Sequence, residues 1–161
     1  MIELIVSILM AQGIPCNNNI VNLLAETMAV ESDYGRYNVQ LNGGPARGVY
    51  QMELNTLNDL RGNYIEYHPE YERFLYGTLM DFEYATITAA LQYERFHEPV
   101  PATRLERAYY WKKYWNTILG KGTVKQYLDK SSLHIGEPYK RIHNNENKIC
   151  SEPIRKHNQE H

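Results

Sequence analysis

Asn17-Asn18-Asn19-Ile20-Val21-Asn22-Leu23-Leu24-Ala25-Glu26-Thr27-Met28-Ala29-Val30-Glu31-Ser32 is the stretch on which the fold reading turns. The asparagines at its start are capping residues, whose short side chains accept from the free N–H groups of a first turn. The apolar residues that follow recur at helical spacing and predict a helix through about Glu31. At about 100° per residue, Glu31 falls within about 20° of Ile20 and Leu24 around the axis. It therefore stands inside the apolar stripe, whereas Glu26 is expected on the polar side. A carboxyl held against apolar neighbours is costly to ionise, so its pKa is expected to rise. That property suits a general acid.

The chain around this stretch reads as mainly helical. Ile2, Ile5, Val6 and Leu9 mark one face of a first helix, stopped at Gly13-Ile14-Pro15. Gly, Asn and Pro between Asp33 and Met52 predict a loop region with a short hairpin. Glu53 to Leu60 reads as helix, ending near Gly62. A longer helical stretch runs from about Glu70 to Phe96 with a break near Gly77, and aligns Met80, Tyr84, Ile87 and Leu91. Ala108, Trp111, Trp115 and Ile118 share the face of the next helix, which Gly120-Lys121-Gly122 breaks. A last short helix begins at Thr123. Beyond Pro138 the composition turns polar, so one helical domain over 1–138 and a loosely packed polar tail over 139–161 are expected.

Bulk properties narrow the function classes. The 161 residues suffice for one domain with a real core. A net charge of −2 argues against a nucleic-acid binder held by phosphate neutralisation. Met1 to Gln12 contains Glu3 and is too short to span a bilayer, so neither stable membrane insertion nor an export signal is expected. Fourteen tyrosines against two Trp and three Phe suit either sugar contacts or helix packing. Cys16 and Cys150 form no close pair, and a chain of this size needs no staple, so free thiols are expected.

The second informative stretch is Gly44-Pro45-Ala46-Arg47-Gly48-Val49-Tyr50-Gln51-Met52. With Glu31-Ser32 before it, it resembles the lysozyme-like lytic transglycosylases, glycoside hydrolase family 23, to which goose-type lysozymes are related. The family pattern is Glu-Ser, a loop, then a Gly-x-x-Gly-Leu-Met-Gln turn. Here the glycine spacing and the Gln match, Val49 stands for Leu and Tyr50 for Met. Tyr114-Trp115-Asn116-Thr117 before Gly120 is a weaker echo of a later family block. The resemblance spans roughly residues 20 to 130 in the same order.

The resemblance implies a mainly α, lysozyme-like fold with a loop and hairpin region beside an active-site cleft. It also implies peptidoglycan glycan strands as substrate. Glu31 would protonate the oxygen between N-acetylmuramic acid and N-acetylglucosamine, then take the proton of the muramic 6-hydroxyl as a 1,6-anhydro ring closes. That route needs one carboxyl and no metal or cofactor. Inverting hydrolysis needs a second carboxylate roughly 6.5–9.5 Å away, for which Glu53 and Asp33 are the candidates. Gln51, Tyr50, Met52, Ser32 and Asn116 are the candidate substrate contacts. Gln51 both donates and accepts hydrogen bonds, while Tyr50 and Met52 either line the cleft or pack beneath it. Ser32 and Asn116 have an alternative role as helix caps.

Other patterns carry less. Trp111 and Trp115 read as core. Arg104, Arg107, Lys112 and Lys113 read as a solvated helix face that would attract an anionic wall. His134, His143, His157 and Cys150 lack metal-ligand spacing, and Gly120-Lys121-Gly122 lacks the first glycine of a phosphate loop. The expectation is a monomeric bacteriophage lysin. It would be either an endolysin that waits in the host cytoplasm for a holin to release it to the wall, or a virion-associated lysin. The competing expectation is a non-catalytic protein of the same fold that binds glycan or builds a virion.

Overall fold

The computed structural model describes residues 1–132 and Cys150. Among the described residues there are six α-helices: α1 (Ile2–Ala11), α2 (Asn18–Ser32), α3 (Leu54–Asn63), α4 (Phe82–Glu94), α5 (Arg104–Trp111) and α6 (Val124–Ser132). The fold is mainly α, and no strand forms among the described residues. The hairpin expected between Asp33 and Met52 reduces to two isolated bridges, Val39 with Arg47 and Arg47 with Met52. No helix is long and apolar enough to cross a membrane among the described residues.

Helix α2 is the axis of the molecule. Asn17 caps it, its Oδ1 accepting from Asn19 N (2.9 Å) and Ile20 N (3.1 Å), as the sequence predicts. At its other end Asp33, Tyr34 and Gly35 all take positive φ, which reverses the chain. Ile20 through Val30 are all buried, because α1, α4, α5 and α6 pack around this one helix. A helix enclosed on every side has no polar face.

That enclosure overturns two expectations. Glu26, expected on a polar side, is 2% exposed, and Arg107, expected on a solvated face, is 0% exposed. Arg107 donates through Nε to Glu26 Oε2 (2.8 Å) and through Nη2 to Oε1 (2.7 Å). The Tyr127 hydroxyl donates to the same Oε2 (2.7 Å), and Arg107 Nη1 donates to the carbonyls of Pro101 and Ala102. A buried charge is tolerable only when paired and fully hydrogen-bonded. The partners here come from α5 and α6, which a reading of α2 alone does not reach.

Three further departures share a local cause. The stretch expected to be helical from Glu70 with a break near Gly77 is a 3-10 turn over Pro69–Phe74, followed by an irregular segment that contains Gly77 and then α4. Asp81 caps α4 through Oδ1 to Tyr84 N (2.7 Å), which leaves Met80 outside the helix and exposed. After Trp111 the helix widens into a π turn over Lys112–Asn116, and Thr117 takes a φ of 60°. Ile118, expected on the core face, therefore emerges 94% exposed.

Cys16 and Cys150 are not free thiols; they are joined in a disulfide. Apart from Cys150, the tail expected over 139–161 lies outside the described residues. The tyrosine excess serves packing in large part, since Tyr64, Tyr71, Tyr84, Tyr93, Tyr110 and Tyr127 are buried.

Removing one member of the buried network leaves an uncompensated charge. Arg107→Met is expected to lower unfolding stability by about 3–5 kcal/mol in urea denaturation, and Glu26→Gln added to it should restore a substantial part. A single variant as stable as the parent would show that the pair does not hold α5 to α2.

Candidate active site

The cleft is built where α2 ends. Glu31 is the penultimate residue of that helix, and the turn after it runs beneath the Gly-rich segment. Ser32 makes the join: its Oγ donates to Val49 O (2.5 Å) and accepts from Gly35 N (2.8 Å). Two stretches that the sequence places 17 positions apart are therefore in direct contact. Gly48 has a φ of 73°, and a Cβ there would lie 2.0 Å from Leu79 O, so only glycine permits this turn to sit against the segment before α4.

Across the cleft, α5 and the π turn supply Trp111, Trp115 and Asn116, and α6 supplies Gln126 and Lys130. Gly122 closes over Trp111, whose ring would stand 2.6 Å from an added Cβ. The cleft is open on one side and has a volume of about 1210 Å³. This is the scale of a site for an extended ligand rather than a single small molecule.

The electrostatics centre on Glu31. Trp111 donates through Nε1 to Glu31 Oε1 (3.0 Å). Lys130 donates through Nζ to Val30 O (2.8 Å) and sets its charge beside Glu31. Burial raises the Glu31 pKa, and the Trp111 hydrogen bond and the Lys130 charge pull it back, leaving it at about 7. Desolvation prevails because one neutral donor and one cation cannot replace the water that a carboxylate loses. At neutral pH the group is near half protonated, the condition in which it can both give and take a proton.

The expected site residues divide between the cleft and the packing beneath it. Glu31, Asp33, Gln51, Met52, Glu53 and Asn116 all line the cleft. Tyr50 does not: it is 1% exposed, its hydroxyl 3.4 Å from Thr86 Oγ1 and its ring edge-on to Trp115. Ser32 is likewise buried and spends its hydroxyl on the backbone contacts above. These two expected sugar contacts are corrected to supports of the floor. Gln51 Nε2 donates to Tyr37 O (2.9 Å) and Gly48 O (2.8 Å), so the donating half of its carboxamide holds the loop. Asn116 Oδ1 accepts from Lys112 Nζ (2.6 Å), which also reaches Gly120 O (2.9 Å) and fixes the opposite lip. Asp33 pairs with Arg36 at 3.5 Å.

Trp111 and Trp115, read as core, are core and cleft lining at once. Sequence reasoning missed Lys130 and Gln92, both in the lining. They come from α6 and α4, and nothing in their own segments relates them to Glu31. Among the described residues no group of three or more His, Cys, Asp or Glu is placed to hold a metal ion; His134, His143 and His157 lie outside those residues. No family model, no curated protein and no solved structure matches this chain.

The raised pKa has a cost that can be measured. Between the ordinary carboxyl value of 4.5 and about 7, the folded protein keeps a proton on Glu31 that the unfolded chain releases. Stability from this group is therefore full below 4.5, falls as pH rises to 7, and stays low above. The side chain retains partial exposure through the cleft mouth, which discounts the full shift to about 2–3 kcal/mol. Glu31→Gln should be more stable than the parent by that amount at pH 8 and equal to it at pH 4. Equal stability at both pH values in urea denaturation would show that the carboxyl is ordinarily solvated.

Proposed function

We propose that this chain is a peptidoglycan-cleaving enzyme of the lysozyme-like lytic transglycosylase type, with Glu31 as its acid and base. The observation that carries the reading is geometric: Glu31, at the end of α2, lies in a large cleft that Ala46, Gln51 and Met52 of the Gly-rich segment, whose sequence resembles that family, also line, and burial lifts its pKa to about 7. The contact from Ser32 to Val49 supports it, because it joins the two blocks on which the resemblance rests.

The steps follow from the groups present. Protonated Glu31 gives its proton to the glycosidic oxygen as the C1–O bond breaks, and the leaving N-acetylglucosamine departs as a neutral alcohol. Positive charge develops at C1 of the muramic sugar. The resulting Glu31 carboxylate, steadied by Trp111 Nε1–H and the Lys130 charge, takes the proton of the muramic 6-hydroxyl, and O6 bonds to C1. No water is consumed, and Glu31 ends protonated, ready for another cycle. Desolvation keeps the proton on Glu31 at the start, while Trp111 and Lys130 limit the cost of releasing it.

A hydrolytic variant is the second reading, favoured by the presence of Asp33 and Glu53 in the same cleft lining. Either carboxylate would activate water in place of the 6-hydroxyl. The first reading is preferred because Asp33, the one carboxylate in the loop before the Gly-rich turn, stands only two residues from Glu31, and Glu53 follows that turn. The Cys16–Cys150 disulfide supports action on the oxidising side of a membrane, as expected of a lysin that reaches the wall after release by a holin or aboard a virion. A non-catalytic glycan-binding role would leave the raised pKa of Glu31 without a use.

Digestion of purified peptidoglycan should yield fragments with anhydro-muramic ends, one water lighter than reducing ends by mass spectrometry. Glu31→Gln should slow their release by about 10²–10⁴-fold. Reducing ends alone would overturn the transglycosylase in favour of the hydrolase, and equal activity of the variant would remove Glu31 from the chemistry.

The pH profile gives a separate check. Activity should fall above about 7, as the acid loses its proton. Trp111→Phe removes a hydrogen bond that favours the ionised form, so the alkaline limb should move to higher pH. Lys130→Gln should move it the same way by less. A limb that stays in place in both variants would mean that another group sets it.

A further inference from the structure

Ala108, Trp111, Trp115 and Ile118 keep the spacing of one helix face, yet the chain turns the last of them outward. The π turn over Lys112–Asn116 shifts the register, and Thr117, a β-branched residue, takes a φ of 60°. That conformation is costly for such a side chain and persists only where the surroundings hold it. Here Lys112 Nζ bonds both Asn116 Oδ1 (2.6 Å) and Gly120 O (2.9 Å), and a Cβ on Gly120 would stand 2.1 Å from Asn116 O. The turn is thus a stapled wedge. Its tip is Ile118 and Leu119, 94% and 92% exposed, the most exposed large apolar side chains among the described residues.

The sequence around this tip carries charge of one sign. No Asp or Glu occurs between Glu106 and Asp129, whereas Lys112, Lys113, Lys121 and Lys125 do. Lys113 and Lys125 are held only in exposed pairs with Glu98 and Asp129, which water screens and another anion displaces. Lys121, two positions from Leu119, is exposed and has no ion pair among the described residues.

We propose that the Ile118–Leu119 turn is a membrane-docking wedge, which rests reversibly on a bilayer surface rich in anionic phospholipid. The aliphatic side chains enter the boundary between headgroups and acyl chains, and the lysines behind them meet the phosphates. A protein partner fits the tip less well. Protein interfaces favour Arg and aromatic anchors over Lys, and this tip is projecting, aliphatic and flanked in sequence by lysine alone. Because the turn is already held, docking orders no loop. Two side chains bury too little to anchor the chain for good, so the contact is reversible. Leu119 also lines the cleft, so docking sets that lip of the cleft at the headgroup level. The proposal goes beyond the glycan reading and does not depend on it.

The test is sedimentation of the purified protein with vesicles of phosphatidylglycerol and phosphatidylethanolamine in equal parts, beside vesicles of phosphatidylcholine alone. The parent should sediment with the anionic vesicles, bind the neutral ones at least about fivefold less, and dissociate progressively as salt is raised. Ile118→Asp, at a position almost fully in solvent, should fold as the parent does and weaken anionic-vesicle binding by about tenfold or more. Lys121→Gln should weaken it by about fivefold.

A parent that does not sediment with anionic vesicles overturns the proposal. So does equal binding by Ile118→Asp, which would leave only a general attraction between lysines and phosphate. If Ile118→Asp binds vesicles as the parent does but slows digestion of soluble wall fragments, the tip belongs to the substrate site and the proposal falls. Vesicle binding that Ile118→Asp abolishes, in a protein that cleaves no wall, leaves the docking surface standing and removes only the enzymatic reading.

Discussion

Two carboxyl groups on one buried helix stand in opposite circumstances, and the paired one organises the rest. Glu26 is held by two bonds from Arg107 and one from Tyr127, so α5 and α6 are both fixed to α2 at a single point. The consequences appear one turn further along each helix. Four residues beyond Arg107 stands Trp111, the donor to Glu31, and three residues beyond Tyr127 stands Lys130, the cation beside it. Side chains three or four positions apart share a helix face, so the bonds to Glu26 also aim these two groups at Glu31. An apolar substitute for the ion pair would hold the helices together by packing. It would not fix the rotation and register that the directed bonds impose.

Glu31 itself is a balance of opposed terms. Full enclosure without partners would leave a carboxyl that never releases its proton near neutral pH, and full solvation would leave one that never holds it. Here desolvation is the larger effect, and one indole N–H and one ammonium offset part of it. The Tyr93 hydroxyl, also buried nearby, points away to Thr27 and adds no donor. Donors brought in one at a time set the value more finely than burial alone does, because each lowers the pKa by a limited amount. The cost falls on folding stability rather than on the rest of the site.

How much of this was legible depends on how far each cause lies from its effect. The Asn17 cap and the placement of Glu31 among apolar neighbours are local, and both follow from a helical wheel. Glu26 misled for the same reason that Glu31 did not. The wheel gives direction around an axis, but only tertiary packing says whether that direction meets water or an arginine 81 positions later. Ile118 kept perfect spacing with Trp111 and Trp115, yet a π turn and a left-handed Thr117 broke the register between them. The disulfide closes across 134 positions, a separation that no spacing rule reaches. The candidate site was half legible: the acid and the turn carry motifs, whereas Lys130 and Gln92 matter only because their helices cross the end of α2.

The division of labour between helices and turns follows from these constraints. Both side chains that lower the proton affinity of Glu31, Trp111 and Lys130, come from helices tied to one buried ion pair, where positions are hard to shift. The contacts open to a ligand come in large part from turns: Gln51 on one lip, Asn116 and Lys121 on the other. Each lip is held by its own short bonds, Gln51 to Tyr37 and Gly48 on one side and Lys112 to Asn116 and Gly120 on the other. Neither set touches Glu26 or Arg107. A change in either lip therefore alters what the cleft accepts with little effect on the acid, while a change at the ion pair alters the acid without touching a ligand.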